Sequence, residues 1–434
     1  NNLIVSNNQF TNYVGVIFHV SGTTSLNNFS FINNKCFDDG TNLALERRAI
    51  NLQKTYSNIT ISGNSFNGFD RGISFTAAPT VKNITINENK FYSLSGRAIG
   101  IFGATDAIIS NNIISDINTS YDVSNFNSTN YKTYPISNAL AGIVFGSSTN
   151  MTIENNIFDN IHSSAIVSTD LLSTNISIKS NRAKLVNSLF VTGSTGTVVS
   201  NLTISGNYVE GTTWTFGGVS VQDTDKAIIK NNTFKGIMHN GIDFFRNTNG
   251  IITDNIITAG FISGVDHKAI TFSNSDGIFA KGNVLDGYSS VAGNYNYFFD
   301  DTKNFEGHID RFIGWNSTAL ASNVRVYFNS NNVPLGVSDK KYAVGSIITN
   351  DNNTGGIPNG EATSWVCTSE ADPSTWTASG NIGFRSISGT PVGFQTPITT
   401  YEVIFDSTNK RWFKATGATN VDWVLISQQK NFIT

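Results

Sequence analysis

Charge is scarce in this chain. Asp, Glu, Lys and Arg make up 14% of its 434 residues, against roughly 25% in an average globular protein. The formal net charge is −3, which excludes a general nucleic-acid binder and speaks against broad electrostatic attachment to a membrane. No apolar run approaches the roughly 18 residues that cross a bilayer, so no membrane insertion is expected. Sustained helical periodicity is missing too. Of the two cysteines, Cys36 takes an inward slot that Phe fills elsewhere, so a buried free thiol is expected rather than a disulfide to the distant Cys367. There is no phosphate-cradling loop and no nucleophile elbow. The chain opens without Met or a signal peptide and inside a repeat, so residue 1 is read as a cut in a longer protein.

Asn, Ser, Thr and Gly fill the space that charge leaves, and they fill it periodically. The unit is apolar-x-apolar-x-x-Asn-x-apolar, seen from Ile59 to Phe66. Its anchor asparagines are Asn8, Asn34, Asn64, Asn89, Asn112, Asn156, Asn181, Asn207, Asn232, Asn255 and Asn283. Successive gaps run from 23 to 28 residues, except for 30 before Asn64 and 44 before Asn156. A second string, Gly/Ala-apolar-x-apolar, recurs once per period, as in Ala49–Leu52 and Gly241–Phe244. Both alternate with period two and are rich in Ile, Val, Phe and Thr, as half-buried strands are. A fixed period of this length marks a solenoid. The chain is therefore read as all-β, a right-handed parallel β-helix of about 11 coils followed by small C-terminal β modules. Handedness follows from the preference of parallel crossovers. The expected boundaries are 1–310 for the β-helix with its end cap, then 311–383 and 384–434. Sequons at Asn58, Asn83, Asn150, Asn175 and Asn201 share one register, so the coil pattern explains their recurrence.

Insertions into the period point to function, because loops on a rigid scaffold carry it. One corner lengthens at 118–140, with Tyr131 and Tyr134, again at 210–217, with Trp214, and again at 258–268, with Asp266 and His267. Between them, the outward positions Val144, Val167, Ser220, Asp243 and Thr271 are expected to floor a groove suited to an extended polymer. Most acidic residues have a structural explanation. Asp159, Lys184, Glu210 and Lys235 read as a surface charge ladder, and corner aspartates commonly make Asx-turns. Asp243 does not fit that pattern, because it stands outward in mid-strand, where Asp is depleted. Glycan hydrolysis needs two carboxyl groups, about 5–5.5 Å or 6.5–9.5 Å apart. The expected pair is Asp243 with Asp266 or Asp223, with Arg246, His239 and His267 nearby to bind substrate; the alternative is a solvated Asp243 held by Arg246. Arg48, Arg71 and Arg97 open three consecutive coils and should stack as a basic ridge, with Glu46 and Asp70 beside it. Such a ridge suits an acidic sugar or a lyase, or is merely neutralised by those carboxylates. His162 and His239 lack further ligands at metal spacing, calcium through corner aspartates has little support, and no metal or cofactor is expected.

The C-terminal strings carry a resemblance. Tyr342-Ala-Val-Gly-Ser-Ile, Trp365-Val-Cys-Thr and Pro373-Ser-Thr-Trp376 resemble a module that follows the β-helix in bacteriophage tailspikes. Gly389-Thr-Pro-Val-Gly, Phe405-Asp-Ser-Thr-Asn-Lys-Arg-Trp412 and Asp422-Trp-Val look like a short terminal repeat of phage tail proteins. The resemblance implies a homotrimer that binds and cuts a bacterial surface polysaccharide, such as capsule or lipopolysaccharide O-chain. It also implies attachment to the virion through a part that precedes residue 1. The family has no single catalytic motif to carry over. Hydrolysis is the first expectation, β-elimination on a uronate the second, and a non-catalytic receptor-binding adhesin the third.

Overall fold

The computed structural model describes residues 2–11, 15–20, 26–38, 47–53, 55–75, 81–117, 141–169, 172–192, 199–211, 217–260, 267–288, 295–308, 313–315, 322–330, 346–350, 364–369, 375–379, 385–387, 392, 403–406, 408, 411–416, 419 and 423–428. The chain forms two compact units, Asn1–Lys303 with Phe312–Ala319, and Asn304–Arg311 with Leu320–Thr434.

The first unit is a right-handed parallel β-helix. A typical coil contributes one strand to each of three sheets, in which consecutive coils pair in parallel. In the coil built on Asn64 these strands are Tyr56–Ser62, Ser65–Asn67 and Arg71–Phe75. Tyr56–Ser62 pairs in register with Val81–Asn87 of the next coil, and its two companions pair likewise. Among the described residues the second sheet stacks 11 strands and the third 12. Inward positions hold a continuous apolar column. Phe66 and Phe91 stack at 5.0 Å, and Phe272 and Phe299 at 5.2 Å. Offset stacking of this kind adds to the burial of two large rings.

The anchor asparagines from Asn34 to Asn255 are buried, Asn8 and Asn283 at the two ends are not, and together they form a ladder between the first and second sheets. Asn64 N–H and its Nδ2 both donate to Asn89 Oδ1, at 3.0 and 2.9 Å, and Asn89 Nδ2 donates to the Ile61 carbonyl at 2.8 Å. Each side chain therefore bonds the backbone of the preceding coil. The turn that presents it needs a left-handed residue just before, which explains Gly63, Asn111, Asn155 and Gly206. The ladder crosses the 44-residue gap unbroken, since Asn112 N–H donates to Asn156 Oδ1 at 3.0 Å. A second, partial ladder runs along the corner between the third and first sheets: Thr224 N–H donates to Asn247 Oδ1, and Asn247 N–H to Ser275 Oγ.

A third asparagine ladder was not foreseen. Asn28, Asn58 and Asn83 bond side chain to side chain on the exposed surface, as do Asn150, Asn175 and Asn201. All six have φ between 53° and 57°. Asn tolerates this backbone better than other side chains, and an outward Thr or Ser follows two residues on. The sequons recur because of this geometry.

Strands are the only regular elements among the described residues of the second unit. Ser364–Ser369 pairs antiparallel with Ile347–Asn350 and with Thr375–Ser379. A separate four-stranded sheet joins Arg385–Ile387, Val403–Asp406, Arg411–Ala415 and Trp423–Gln428, with Phe413 and Trp423 buried. Both cysteines are buried free thiols, and burial pushes Cys36 up to about 12. No helix among the described residues is long and apolar enough to cross a membrane.

Candidate functional site

The outer face of the third sheet presents one row of side chains, fixed by register. It runs Asn51, Ser74, Gly100, Val144, Val167, Val191, Ser220, Asp243, Thr271 and Phe298. The expected groove floor is this row, but it is not open throughout. Val144, Val167 and Val191 are 0–1% exposed, and Phe102 packs against the Val144 and Val167 cluster. Asn51, Ser74, Gly100 and Thr271 are buried as well, so solvent meets the row at Ser220, Asp243 and Phe298.

Asp243 sits in mid-strand in Ile242–Phe245, pointing away from Ile242 and Phe244, which are fully buried. Its carboxylate has no hydrogen bond or ion pair among the described residues. The side chain keeps partial contact with solvent, yet protein surrounds it closely enough that burial pushes the carboxyl up to about 6, against a lowering pull from Lys268. Desolvation disfavours the charged form and so raises a carboxyl. Ser220 lies on one side of it and Thr271 on the other, each one strand away.

Asp223 and Arg246 do not serve Asp243 as expected. Both stand in left-handed backbone at the same corner of consecutive coils, with φ of 52° and 54°. Arg246 Nε and Nη2 each donate to a different Asp223 oxygen at 2.6 Å, and the guanidinium lies 4.2 Å from the Phe245 ring centre. A bidentate pair of this kind fixes both partners. It rules out Arg246 as the holder of Asp243 and gives Asp223 a structural task in place of proton transfer. His267 is 1% exposed and therefore does not overhang the site as a substrate contact. His239 is half-buried at its corner. Asp266, Trp214, Tyr131 and Tyr134 lie outside the described residues, as does Glu46.

The sequence reading missed Lys268. Its ammonium lies 4.1 Å from the centre of the Phe298 ring, on the same outer row as Asp243 and Thr271. The signal was there in a recurrent spacing. Arg48, which opens its strand, donates from Nη1 to Asn51 Oδ1 three residues on, at 3.1 Å. Arg97 lies across Gly100, where an added Cβ would come within 2.5 Å of Nε. Lys268 stands three residues before Thr271 in the same way. In all three, a basic residue opening the strand is followed at its third position by a small or neutral polar one.

Arg48, Arg71 and Arg97 do stack in register as predicted. Arg48 and Arg71 are half-buried, and Arg97 is 6% exposed, with its guanidinium 5.3 Å from the Phe102 ring. Asp70 is taken by a different arginine: Arg47 donates to it from the backbone and from Nη2, at 2.8 and 2.9 Å, and also pairs with Asp38 at 3.3 Å. Burial alone would raise the Asp70 carboxyl, but the Arg47 and Ser95 hydrogen bonds hold it below the usual range. Its contribution to stability is then complete above the unfolded carboxylate range near pH 4 and is lost as pH falls through the lower folded value. Asp70→Asn should therefore melt below wild type at pH 7, by a margin that closes towards pH 2 in paired thermal scans. An equal margin at both pH values would show that the ionised carboxylate is not the source.

The charge ladder is in register from Asp159 through Lys184 and Glu210 to Lys235, with a Lys235–Glu210 contact of 3.8 Å. It is a surface feature of the kind that contributes little. Among the described residues, no group of three or more His, Cys, Asp or Glu could hold a metal ion.

Residues 117–285 match the family model of the right handed beta helix region. No curated protein sequence matches the chain. Solved structures that it resembles include a mutant DFA-IIIase from Arthrobacter chlorophenolicus A6 in complex with DFA-III. That match has 12% identity and a TM-score of 0.42, covering 69% of this chain and 72% of the other. Endopolygalacturonase I from Stereum purpureum, complexed with two galacturonate, has 15% identity and a TM-score of 0.39, with 74% and 94% covered. A mutant tailspike protein of E. coli bacteriophage HK620 in complex with hexasaccharide has 10% identity and a TM-score of 0.39, with 74% and 58% covered. At these identities the likeness is one of fold.

Proposed function

We propose that this chain is a depolymerase of bacterial surface polysaccharide that hydrolyses glycosidic bonds with Asp243 as its acid or base. The observation that carries the reading is Asp243 itself. It is a carboxylate in mid-strand on the outer face, without a hydrogen-bonding or ionic partner among the described residues, and burial raises it to about 6. A carboxyl in that range is protonated often enough near neutrality to protonate a leaving oxygen, and ionised often enough to take a proton back. The Ser220 hydroxyl beside it, which meets solvent, is of the kind that bonds sugar hydroxyls, whereas the Thr271 hydroxyl expected on the groove floor is buried. The second carboxyl is assigned to Asp266, since Asp223 is committed to Arg246. One observation favours β-elimination as the second reading: the charge bearing on Asp243 is the Lys268 ammonium, and a cation beside a lone base suits a uronate.

The resemblance of the C-terminal strings extends the proposal to a homotrimer borne on a phage tail and acting at the bacterial surface. The test is incubation of the chain with purified capsules from a panel of bacteria. Reducing ends are followed alongside the ultraviolet absorbance of a new conjugated double bond. Reducing ends without absorbance support hydrolysis, and both signals together support elimination. Binding without either signal, on a strain that the phage infects, would overturn the enzyme reading in favour of an adhesin.

A further inference from the structure

We propose that Arg48 and Arg71, with His19 beside them, form a binding subsite for an acidic sugar, whose carboxylate or sulfate lies against the stacked guanidinium groups. The inference rests on the reading above that the chain takes a bacterial surface polysaccharide. It adds a class of sugar, and a place for it that the proposal around Asp243 does not use.

Register places the parts. The third sheet begins with the strands Val16–Val20, Arg48–Leu52, Arg71–Phe75 and Arg97–Phe102. Arg48 is the register partner of Arg71, and Arg71 of Arg97, while His19 precedes Asn51 and Ser74 on the outer row. Strands in such a sheet sit about 4.8 Å apart. Like charges facing one another across strands at this spacing repel, and an anion laid along them relieves the repulsion. Asn51, Ser74 and Gly100 are buried beneath the ridge, whereas Arg48 and Arg71 are half-buried and His19 is exposed. Solvent therefore meets two guanidinium groups and an imidazole here. Asn51 lies seven strands from Asp243 along the row. At the usual strand spacing that is roughly 34 Å, so the subsite grips glycan well away from the proposed cut.

Hydrogen bonds hold the ridge in place. Arg48 donates from Nη1 to Asn51 Oδ1 at 3.1 Å, and Asn51 Nδ2 lies 3.1 Å from His19 Nδ1. A guanidinium only donates, so it fixes which end of the amide is oxygen, and the amide nitrogen then donates to His19 Nδ1. That assigns the ring proton of neutral His19 to Nε2, a donor on an exposed side chain. At the other end Arg97 lies back over Gly100 and against the Phe102 ring. Between them, the buried Ser74 hydroxyl has no hydrogen-bond partner among the described residues. Asp70, expected beside the ridge, is committed to Arg47, which also pairs with Asp38. A guanidinium held in one orientation matches the planar oxygens of a carboxylate, and it serves a sulfate as well.

The test measures binding to the same panel of purified capsules by surface plasmon resonance, in the Asp243→Asn background so that no glycan is cut. Each bound capsule is also prepared with its carboxyls reduced to alcohols and, separately, with its sulfates removed, which tells the two anions apart. The capsules bound should be acidic, and removing the anion should weaken binding roughly tenfold or more, the worth of one charged hydrogen bond. Arg48→Gln with Arg71→Gln should lose the same factor on intact capsule and be indifferent to the treatment, as a direct contact requires. Asn51→Leu keeps both charges but releases the Arg48 head, so it should lose less; it also serves if the double variant does not fold. An unmoved affinity in Asn51→Leu overturns the positioning role of Asn51. Binding to neutral capsules only, binding to none, or an equal loss by the Gln protein on intact and treated capsule overturns the proposal. If the chain with Asp243 intact cuts no glycan while the contrast holds, the subsite stands and the depolymerase reading falls. Cleavage without the contrast leaves the depolymerase reading and removes the subsite.

Discussion

Asp243→Asn should reduce depolymerisation by about 10² to 10⁴-fold, the range that proton transfer by one positioned group contributes. Substrate binding should be nearly unchanged, because an amide fills the same volume and keeps an acceptor and gains donors. The loss should fall on kcat and on kcat/KM alike, as for an interaction made only in the transition state. The stability of the variant separates chemistry from damage. In the folded protein burial raises the Asp243 carboxyl to about 6, above its ordinary value near 4. Below both values the group is protonated in either state and contributes nothing differential. As pH rises from 4 through 6, the folded protein takes on a charge that its surroundings disfavour, and stability falls. Asp243→Asn removes that penalty. The variant should melt above wild type at pH 7 and level with it below pH 4, while losing activity. A variant that is inactive and also less stable at pH 7 would show that Asp243 holds the coil together and would remove the observation on which the functional reading stands.

How much of this could be read from the sequence depended on whether the information was local or lay between coils. The fold was legible because each coil repeats its own instructions. Apolar-x-apolar marks an inward pair, and a left-handed residue followed by Asn marks the turn. The asparagine at a fixed offset marks the ladder. Even the insertion before Asn156 does not disturb it, since the Asn112–Asn156 bond is made regardless of the residues between. The site was less legible. Alternation correctly placed Val144 and Val167 on the outer face but does not say whether that face is covered, and there it is. It gave Asp243 and Asp223 as neighbours of Arg246 and, in its alternative reading, set Arg246 on Asp243, whereas the guanidinium pairs with Asp223. The choice follows from backbone: Asp223 and Arg246 share a left-handed corner, so their side chains leave the coil together, while Asp243 leaves from the strand. Lys268 stands just outside the Gly/Ala-apolar-x-apolar string of its coil, Ala269–Phe272, so the pattern does not mark it. The side chain that opens a strand can fold back onto its third residue, as Arg48 does on Asn51.

Asn181→Ala should destabilise the β-helix more than any surface change, by on the order of 2–6 kcal/mol. Asn181 Oδ1 accepts from Asn156 N–H and from Asn156 Nδ2, both at 3.0 Å. Its Nδ2 donates to the Ile153 carbonyl at 2.9 Å and to Asn207 Oδ1 at 3.0 Å. Alanine would leave the Asn156 N–H and the Ile153 carbonyl unpaired in a site where Asn156 and Asn181 are at most 1% exposed. Each buried group so stranded costs about 1–3 kcal/mol, and two of them give the stated range. The exposed ladder provides the comparison. Asn175→Gly removes a side chain that also bonds its neighbour, at 2.9 Å to Asn150. Glycine accepts the 57° φ at that position and water replaces the lost bond, so the change should stay within about 0.5 kcal/mol. Urea unfolding midpoints of the two variants and wild type, under one protocol, make the measurement. A large loss in both would mean that stacked amides stabilise by their own mutual bonding wherever they lie. A large loss in Asn181→Ala alone would show that the buried ladder stabilises by satisfying the backbone of the preceding coil. That requirement explains why one residue type recurs at one position through eleven periods of otherwise variable sequence.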